Sequence, residues 1–200
     1  MRVNQDSIRA SAMTHYLFVI LIHLTFAPFL NSAGEDTVFF TDSGHAEFTS
    51  SVPLHTFTGE SSHLTGMFDP EENVIDFFLD LNTLRTGIDR RDRDMFRTLE
   101  VEEFPFAEFS GTLDSPFDLN SSEEQTVSVT GEFTVHGVTR EKTVQGTLHN
   151  QGGTLKLKAE WILDITDYDI EPPGLLFYRV RDEIDMLIEA ELQPTSRDDL

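Results

Sequence analysis

The chain of 200 residues contains no cysteine and one tryptophan, and its length suits a single compact domain. Without cysteine it cannot form disulfides, thiolate metal sites or thiol nucleophiles. Its 36 acidic and 14 basic residues give a net charge of −22, which argues against binding to nucleic acid or to anionic lipid head groups.

The N-terminal segment has the order of an export signal. Arg2 and Arg9 precede the apolar run Tyr16–Leu30, and small residues follow around Ala33. The run of about fifteen residues falls short of the ~20 that a membrane-spanning helix needs, so cleavage is favoured over an uncleaved anchor. We therefore expect a periplasmic or secreted protein whose signal occupies residues 1–33.

The mature chain reads as one domain. Translation could begin at Met1 or at Met13, and the sequence does not decide between these two starts. No internal repeat or low-complexity linker divides the segment that follows the signal. We predict one domain over residues 34–195 and an acidic, solvated tail over residues 196–200.

Apolar and polar residues alternate in segment after segment, which is typical of strands with one buried face. In Thr126–Val135, for example, Val129 and Phe133 fall on one face and Thr130 and Thr134 on the other. Turn-forming residues separate such segments. The pattern predicts nine or so mostly antiparallel strands: Thr37–Asp42, His45–Val52, His55–Phe68, Asn73–Leu81, Phe106–Leu113, Thr126–Val135, Glu141–Asn150, Thr154–Ile165 and Arg179–Leu192.

Two stretches break the strand pattern. Gly87–Leu99 predicts a short helix with Asp89 as its N-cap, and its Asp and Arg residues stand three or four apart, in position to pair. Thr166–Tyr178 contains two consecutive prolines followed by Gly174, which excludes ordinary strand pairing and predicts a loop or lid.

The aromatic content favours a hollow barrel over two stacked sheets. Phenylalanine occurs 17 times, and bulky side chains inside a barrel of about eight strands leave a slot for an apolar chain. The alternative is that these rings simply fill the core. The apolar faces supply the candidate wall and ligand-binding residues: Phe48, Phe57, Phe68, Phe77, Leu79, Phe109, Val129, Phe133, Leu157, Trp161, Ile184 and Met186.

Residues that could carry chemistry form no recognisable catalytic or metal-binding motif. The histidines after the signal lack the H-x-H and H-x-x-x-H spacings that place two imidazoles on one metal. Asp92 and Asp94 alternate with arginines, which lower a carboxylate pKa and suit ion pairs better than a general acid. We therefore expect no catalytic residue, no metal and no cofactor.

Three segments resemble the YceI-like family of exported lipid-binding proteins. Thr83–Thr112 resembles the family signature, Gly131–Val144 its hairpin and Val180–Leu192 its closing strand. The resemblance covers about Thr37–Leu192. Within the signature the matching residues are Thr86, Gly87, Arg91, Asp92, Val101, Glu102, Phe104, Pro105 and Phe109.

The resemblance implies an all-β fold: an extended antiparallel, lipocalin-like β-barrel of about eight strands with one short helix. It also implies a long apolar pocket for a polyisoprenoid, an isoprenoid quinone or a fatty acyl chain. The chain departs from the family at two positions near the expected rim of the barrel. Asp94 stands where the family often has His, and Asp169 stands where Gly is expected.

The segment around His136 predicts a tight hairpin rather than a catalytic site. Gly137 is free to take a positive φ, and a turn at His136-Gly137 would leave the histidine ring facing solvent. The leading hypothesis is thus a non-enzymatic carrier or sequestering protein for a long-chain isoprenoid or other lipid, without membrane insertion after signal cleavage. The alternatives are a filled-core module for envelope protein interactions and, third, a hydrolase using Asp92 or Asp94. A homodimer remains open.

Overall fold

The structure, a computed structural model, describes residues 37–52, 55–171, 174–175, 178–179 and 181–200. The predicted export signal, both candidate start sites and the two consecutive prolines of the predicted loop lie outside the described residues. Within the described ranges no helix has the length and apolar character needed to cross a bilayer.

Ten strands and one α-helix make up most of the described chain. The helix, α1, covers Asp89–Thr98, and short 3-10 turns cover Leu81–Thr83, Ile165–Tyr168 and Arg197–Asp199. The strands are β1 (Thr37–Val52), β2 (His55–Asp69), β3 (Val74–Asp80), β4 (Phe106–Leu113), β5 (Gln125–Val135), β6 (Val138–Gln151), β7 (Thr154–Asp164), β8 (Gly174–Leu175), β9 (Tyr178–Arg179) and β10 (Glu183–Ser196).

Eight of these strands close into an antiparallel barrel in the order β1-β10-β7-β6-β5-β4-β3-β2, while β8 and β9 pair with each other. The predicted fold, an all-β barrel of about eight strands with one short helix, is confirmed. The two strands predicted at Thr37–Asp42 and His45–Val52 are one continuous strand, β1. A β-bulge between Phe40 and His45 shifts the pairing of β1 with β10. The bulge interrupts the alternation of apolar and polar residues, so the sequence pattern predicts two strands there.

Buried side chains pack one end of the barrel. The beginning of β1, the end of β2 and the end of β10 meet there, because Phe39 pairs with both Phe68 and Pro194. Phe68, Leu155 and Leu192 are fully buried at this end. The barrel therefore has a packed end.

The barrel wall is incomplete between β6 and β7. Their ladder runs only from the Gly146–Ala159 pair to the Gln151–Thr154 pair. Beyond it Lys142 spans the gap, since its Nζ donates a hydrogen bond of 3.1 Å to the carbonyl oxygen of Ile162. The wall is thus held here by a side chain instead of backbone pairing.

The hairpin predicted at His136-Gly137 is confirmed. Both residues have positive φ, 55° and 72°, as expected for a two-residue turn that matches the strand twist. The prediction of a solvent-facing histidine ring is wrong. The His136 side chain is only 11% exposed, its Nδ1 donates to the carbonyl oxygen of Tyr168 at 3.0 Å, and its ring lies 5.4 Å from the Phe104 ring.

The C-terminal residues are attached to the barrel rather than forming a free tail. Ser196 pairs with Thr37 at the last step of the β1–β10 ladder. Arg197 forms an ion pair with the buried carboxylate of Asp69. Only the residues that follow Arg197 match the solvated tail that the sequence predicts.

Candidate ligand cavity

Two adjacent apolar cavities lie inside the barrel. The mid-barrel cavity has a volume of about 100 Å³, and the helix-side cavity, beside α1, has a volume of about 190 Å³. The two cavities meet at a common wall, whose residues are Ala46, Leu79, Ala107, Phe133 and Met186. Strand periodicity creates these walls, because alternate residues of each strand point inward.

The structure brings most of the predicted wall residues together around these cavities. Phe77, Phe109, Val129, Leu157 and Trp161 line the mid-barrel cavity; Phe48, Phe57 and Ile184 line the helix-side cavity; Leu79, Phe133 and Met186 line both.

Phe68 is the exception among the predicted wall residues. Its side chain points inward, as the alternation along β2 requires, but it lies at the packed end of the barrel. Its ring stacks on Phe39 at 6.4 Å and meets Phe117 edge-on at 6.1 Å. Phe68 therefore lines neither of these two cavities, because alternation identifies the face of a strand and not the depth along the barrel.

Glycines on β2 make room for the inward phenylalanine rings. A Cβ at Gly59 would lie 2.2 Å from Cε1 of Phe48, and a Cβ at Gly66 would lie 2.0 Å from Cδ1 of Phe77. Each ring therefore lies directly over the backbone of the neighbouring strand instead of reaching into the centre of the barrel. This arrangement leaves the middle of the barrel open. The sequence pattern alone did not indicate this function of the glycines.

An aromatic cluster packs on Phe133, which borders both cavities. The Phe133 ring meets Trp161 at 6.3 Å and Tyr168 at 5.5 Å, both edge-to-face. Tyr168 is 2% exposed, and its burial, together with the nearby Asp167 carboxylate, raises the pKa of its hydroxyl. Tyr168 was missed by the sequence analysis, because it lies in a 3-10 turn where strand periodicity gives no signal.

Helix α1 closes the helix-side cavity. Met95, Thr98 and Leu99 supply part of its wall, and Arg91 and Asp94 contribute the charged residues of α1 that border it. The Arg91 guanidinium lies over the Phe57 ring, 4.8 Å from its centre. The helix therefore presents both an apolar surface and charged groups to this cavity.

Asp92 fixes the start of α1 rather than facing a cavity. Its Oδ1 accepts hydrogen bonds from the backbone amide of Thr86 at 2.8 Å and from the Thr86 hydroxyl at 2.5 Å. Burial alone would raise the pKa of Asp92, but these bonds and the charges of Arg85 and Arg91 together lower it. Ile88, not Asp89, is the N-cap residue, and it forms no side-chain cap.

The predicted pairing of aspartates and arginines is found at Asp94 and Arg97, whose charged atoms lie 3.1 Å apart. Both residues are half exposed or more, so this pair adds little to stability. The Asp92 carboxylate, whose pKa is lowered, is a poor general acid.

One group of side chains on the outer barrel surface could offer ligands to a metal ion. Potential ligand atoms of His45, Glu47 and Glu60 lie within 4.8 Å of one another. Glu47 and Glu60 are direct cross-strand neighbours, so strand pairing brings them together. The spacing of paired histidines in the sequence gives no sign of this group, and one of its members, Glu47, also borders the helix-side cavity.

A family model described as the YceI-like domain matches residues 38–192, more than half of the chain. The chain belongs to the YceI-like family. The resemblance seen in the three sequence segments is thereby confirmed.

Curated relatives support the same membership over part of the chain. A UPF0312 protein of Pseudomonas putida (strain GB-1) is 29% identical over 113 residues, covering 52% of this YceI-like chain and 56% of the relative. A UPF0312 protein of Pseudomonas savastanoi pv. phaseolicola is 29% identical over 118 residues, with the same coverage. The chain thus spans about half the length of the curated relatives it matches.

Solved structures share the fold of the YceI-like chain at low sequence identity. A polyisoprenoid binding domain from Saccharophagus degradans, implicated in plant cell wall breakdown, gives a TM-score of 0.67 at 17% identity, covering 80% of this chain and 99% of that domain. BcnA of Burkholderia cenocepacia gives 0.60 at 15% identity, covering 74% and 95%.

The two departures from the YceI-like pattern have different structural consequences. Asp169 has a φ of 56° at the end of the 3-10 turn, a conformation that glycine adopts without cost. Asp94 lies in the wall of the helix-side cavity. The first departure therefore concerns backbone strain, while the second changes the charge beside the cavity.

Proposed function

We propose that this YceI-like protein is an exported, non-enzymatic carrier or sequestering protein. Its ligand is one long apolar chain: a polyisoprenoid, an isoprenoid quinone or a fatty acyl chain. The observation that carries the proposal is the pair of adjacent apolar cavities, walled by inward residues of the barrel and by α1. The polyisoprenoid binding domain that shares this fold adds support.

The size of the interior suits a short apolar chain without rearrangement. An engineered apolar cavity of about 150 Å³ holds one benzene ring, and the two cavities together have roughly twice that volume, space for about a dozen carbon atoms. A longer chain requires wall side chains to move. Met186, which borders both cavities and is only partly buried, is the residue best able to do so, since methionine is unbranched and flexible.

The energetics favour a carrier that needs few polar contacts. Each buried methylene contributes about 0.8 kcal/mol before the cost of association, so a dozen carbons can outweigh that cost. A filled-core module would not retain such apolar space. A hydrolase using Asp92 is disfavoured, because its carboxylate is committed to Thr86 and its pKa is lowered.

A plug variant tests ligand binding directly. Met186→Trp places an indole between the two cavities, and we expect it to reduce uptake of a fluorescent farnesyl analogue at least tenfold. Ile162→Trp is the matched control, because Ile162 lies on the neighbouring strand and is 55% exposed. Equal uptake by both folded variants would show that the chain binds elsewhere, and the proposal would fail.

Export is a separate part of the proposal, supported by the sequence pattern of residues 1–33. N-terminal sequencing of the mature protein from its source should find a start close to Ala33. A mature protein that retains Tyr16–Leu30 would contradict the export signal, while leaving the ligand-binding proposal intact.

A further inference from the structure

The helix-side cavity contains a buried hydroxyl that has no hydrogen-bond partner. Ser50 lies in its wall and is 2% exposed. Its Oγ forms no hydrogen bond within the described part of the chain. A buried polar atom without a partner is destabilising and calls for an explanation.

Within the described residues, the other buried serine and threonine hydroxyls have hydrogen-bond partners. Ser61 shares a hydrogen bond of 2.6 Å with Thr83, and the Thr41 hydroxyl accepts one from the Ser43 amide at 3.4 Å. Both Ser61 and Thr41 are buried. The missing partner is therefore particular to Ser50 and is not a general feature of this barrel.

The position of Ser50 connects it to the ligand site. It follows Phe48 by two residues on the inner face of β1 and pairs across the ladder with Phe57. Both rings line the helix-side cavity. An alanine at this position would suit these apolar surroundings without the cost of a buried hydroxyl.

We propose that the Ser50 hydroxyl is a specificity-determining subsite, which hydrogen-bonds a neutral oxygen, a hydroxyl or a carbonyl, on the bound apolar chain. This inference rests on the proposed function. A charged oxygen does not suit the subsite, because a fully buried serine offers no counter-charge. The charged residues that border this cavity are Glu47 on β1 and Arg91 and Asp94 on α1, and all three are more exposed than Ser50.

The subsite also assigns an orientation to the ligand. The oxygenated end lies in the helix-side cavity beside Ser50, and the hydrocarbon tail extends toward the mid-barrel cavity past Phe133 and Met186. The exposed wall of the mid-barrel cavity is almost entirely carbon, although Glu108, Lys142, Thr147 and Lys158 also border it. Within the described residues the buried indole nitrogen of Trp161 has no hydrogen-bond partner. A tail without oxygen is therefore the part of the ligand that suits it.

Three probes with one carbon skeleton test the subsite: farnesol, the hydrocarbon farnesene and farnesoic acid. Affinities are measured by displacement of a fluorescent farnesyl analogue. For the wild type we expect farnesol to bind about 3- to 10-fold more tightly than farnesene, the range of one net hydrogen bond. Ser50→Ala should abolish this preference through weaker farnesol binding, while farnesene binding stays unchanged.

Ser61→Ala is the matched control, because it removes a buried hydroxyl that has a partner outside both cavities. It should lower the Tm of the ligand-free protein and keep the farnesol preference. Ser50→Ala should keep or raise the Tm, since no hydrogen bond is lost. A clear fall in the Tm of Ser50→Ala would show that Ser50 has a structural role, and would overturn the inference.

The remaining outcomes separate the inference from the proposed function. Equal wild-type affinity for farnesol and farnesene, or an undiminished preference in Ser50→Ala, overturns the subsite and leaves the carrier function standing. Preferred binding of farnesoic acid that is insensitive to Ser50→Ala also overturns it and assigns recognition to Arg91. Failure of the protein to bind any of the probes overturns the proposed function and the subsite together.

Discussion

Phe133 and Phe68 form a matched pair that tests whether the barrel interior is hollow. Each is an inward phenylalanine, at most 7% exposed, with two aromatic neighbours at between 5.5 and 6.4 Å. They differ in that Phe133 borders both cavities, whereas Phe68 lies at the packed end. Replacing each with alanine removes the same atoms from two different surroundings.

We expect Phe68→Ala to be the more destabilising change. Phe→Ala in a packed core costs about 3–5 kcal/mol, and the cost rises with the volume of the cavity created. Phe68 is surrounded by side chains, so its truncation should cost about 4–5 kcal/mol. One side of Phe133 borders the cavities, so its truncation removes fewer packing contacts than that of Phe68. Phe133→Ala should therefore cost about 3 kcal/mol.

Urea unfolding followed by circular dichroism measures both values, with the slope m showing whether the two-state description holds. Uptake of a fluorescent farnesyl analogue supplies a second readout. Phe133→Ala should change that uptake, and Phe68→Ala should leave the uptake per folded molecule at the wild-type level. Equal or greater destabilisation by Phe133→Ala, together with equal effects on uptake, would refute the hollow interior.

Three further predictions concern stability. Asp92→Asn should cost about 1–2 kcal/mol at pH 7. The folded pKa of Asp92 is lowered below its ordinary 3.8, so the stabilisation is present above that pH and is lost as the pH falls through the folded pKa. The urea midpoints of wild type and variant should therefore converge as the pH falls below 3.8. Gly137→Ala should cost about 2–3 kcal/mol by urea unfolding, because φ is 72° and the new Cβ would lie 2.5 Å from a phenylalanine ring. Gly152→Ala is its control: φ is 67° but the new Cβ would meet open space, so the cost should be about 1 kcal/mol. Arg197→Ala should lower the Tm and cost about 1–3 kcal/mol, because it leaves the buried Asp69 carboxylate without its cation. If any one of these variants keeps the wild-type stability, that result contradicts the contact on which its prediction rests.

Strand alternation was sufficient to predict the barrel and much of its interior. On β5 the inward positions Val129 and Phe133 were correctly identified, because a period of two residues is a local property of the chain. The hairpin at His136-Gly137 was also predictable, since a two-residue turn requires positive φ and leaves a direct sequence signal.

Features that depend on distant parts of the chain could not be predicted. Phe68 has the same alternation as Phe77, but its position along the barrel axis depends on how all eight strands are staggered. The His136 ring is held by a hydrogen bond to the carbonyl oxygen of Tyr168, 32 residues away along the chain. Glu60 approaches His45 and Glu47 through the register of β1 and β2, which a spacing motif does not contain.

The central claim is that one apolar chain occupies the interior of the barrel. Native mass spectrometry of the protein purified from its own source, followed by solvent extraction, tests this claim most directly. We predict one non-covalent adduct per chain, extracted as an isoprenoid or acyl lipid, which Met186→Trp removes and Ile162→Trp retains. Repeated recovery of the protein free of any lipid, with no adduct after incubation with farnesol, would contradict the claim.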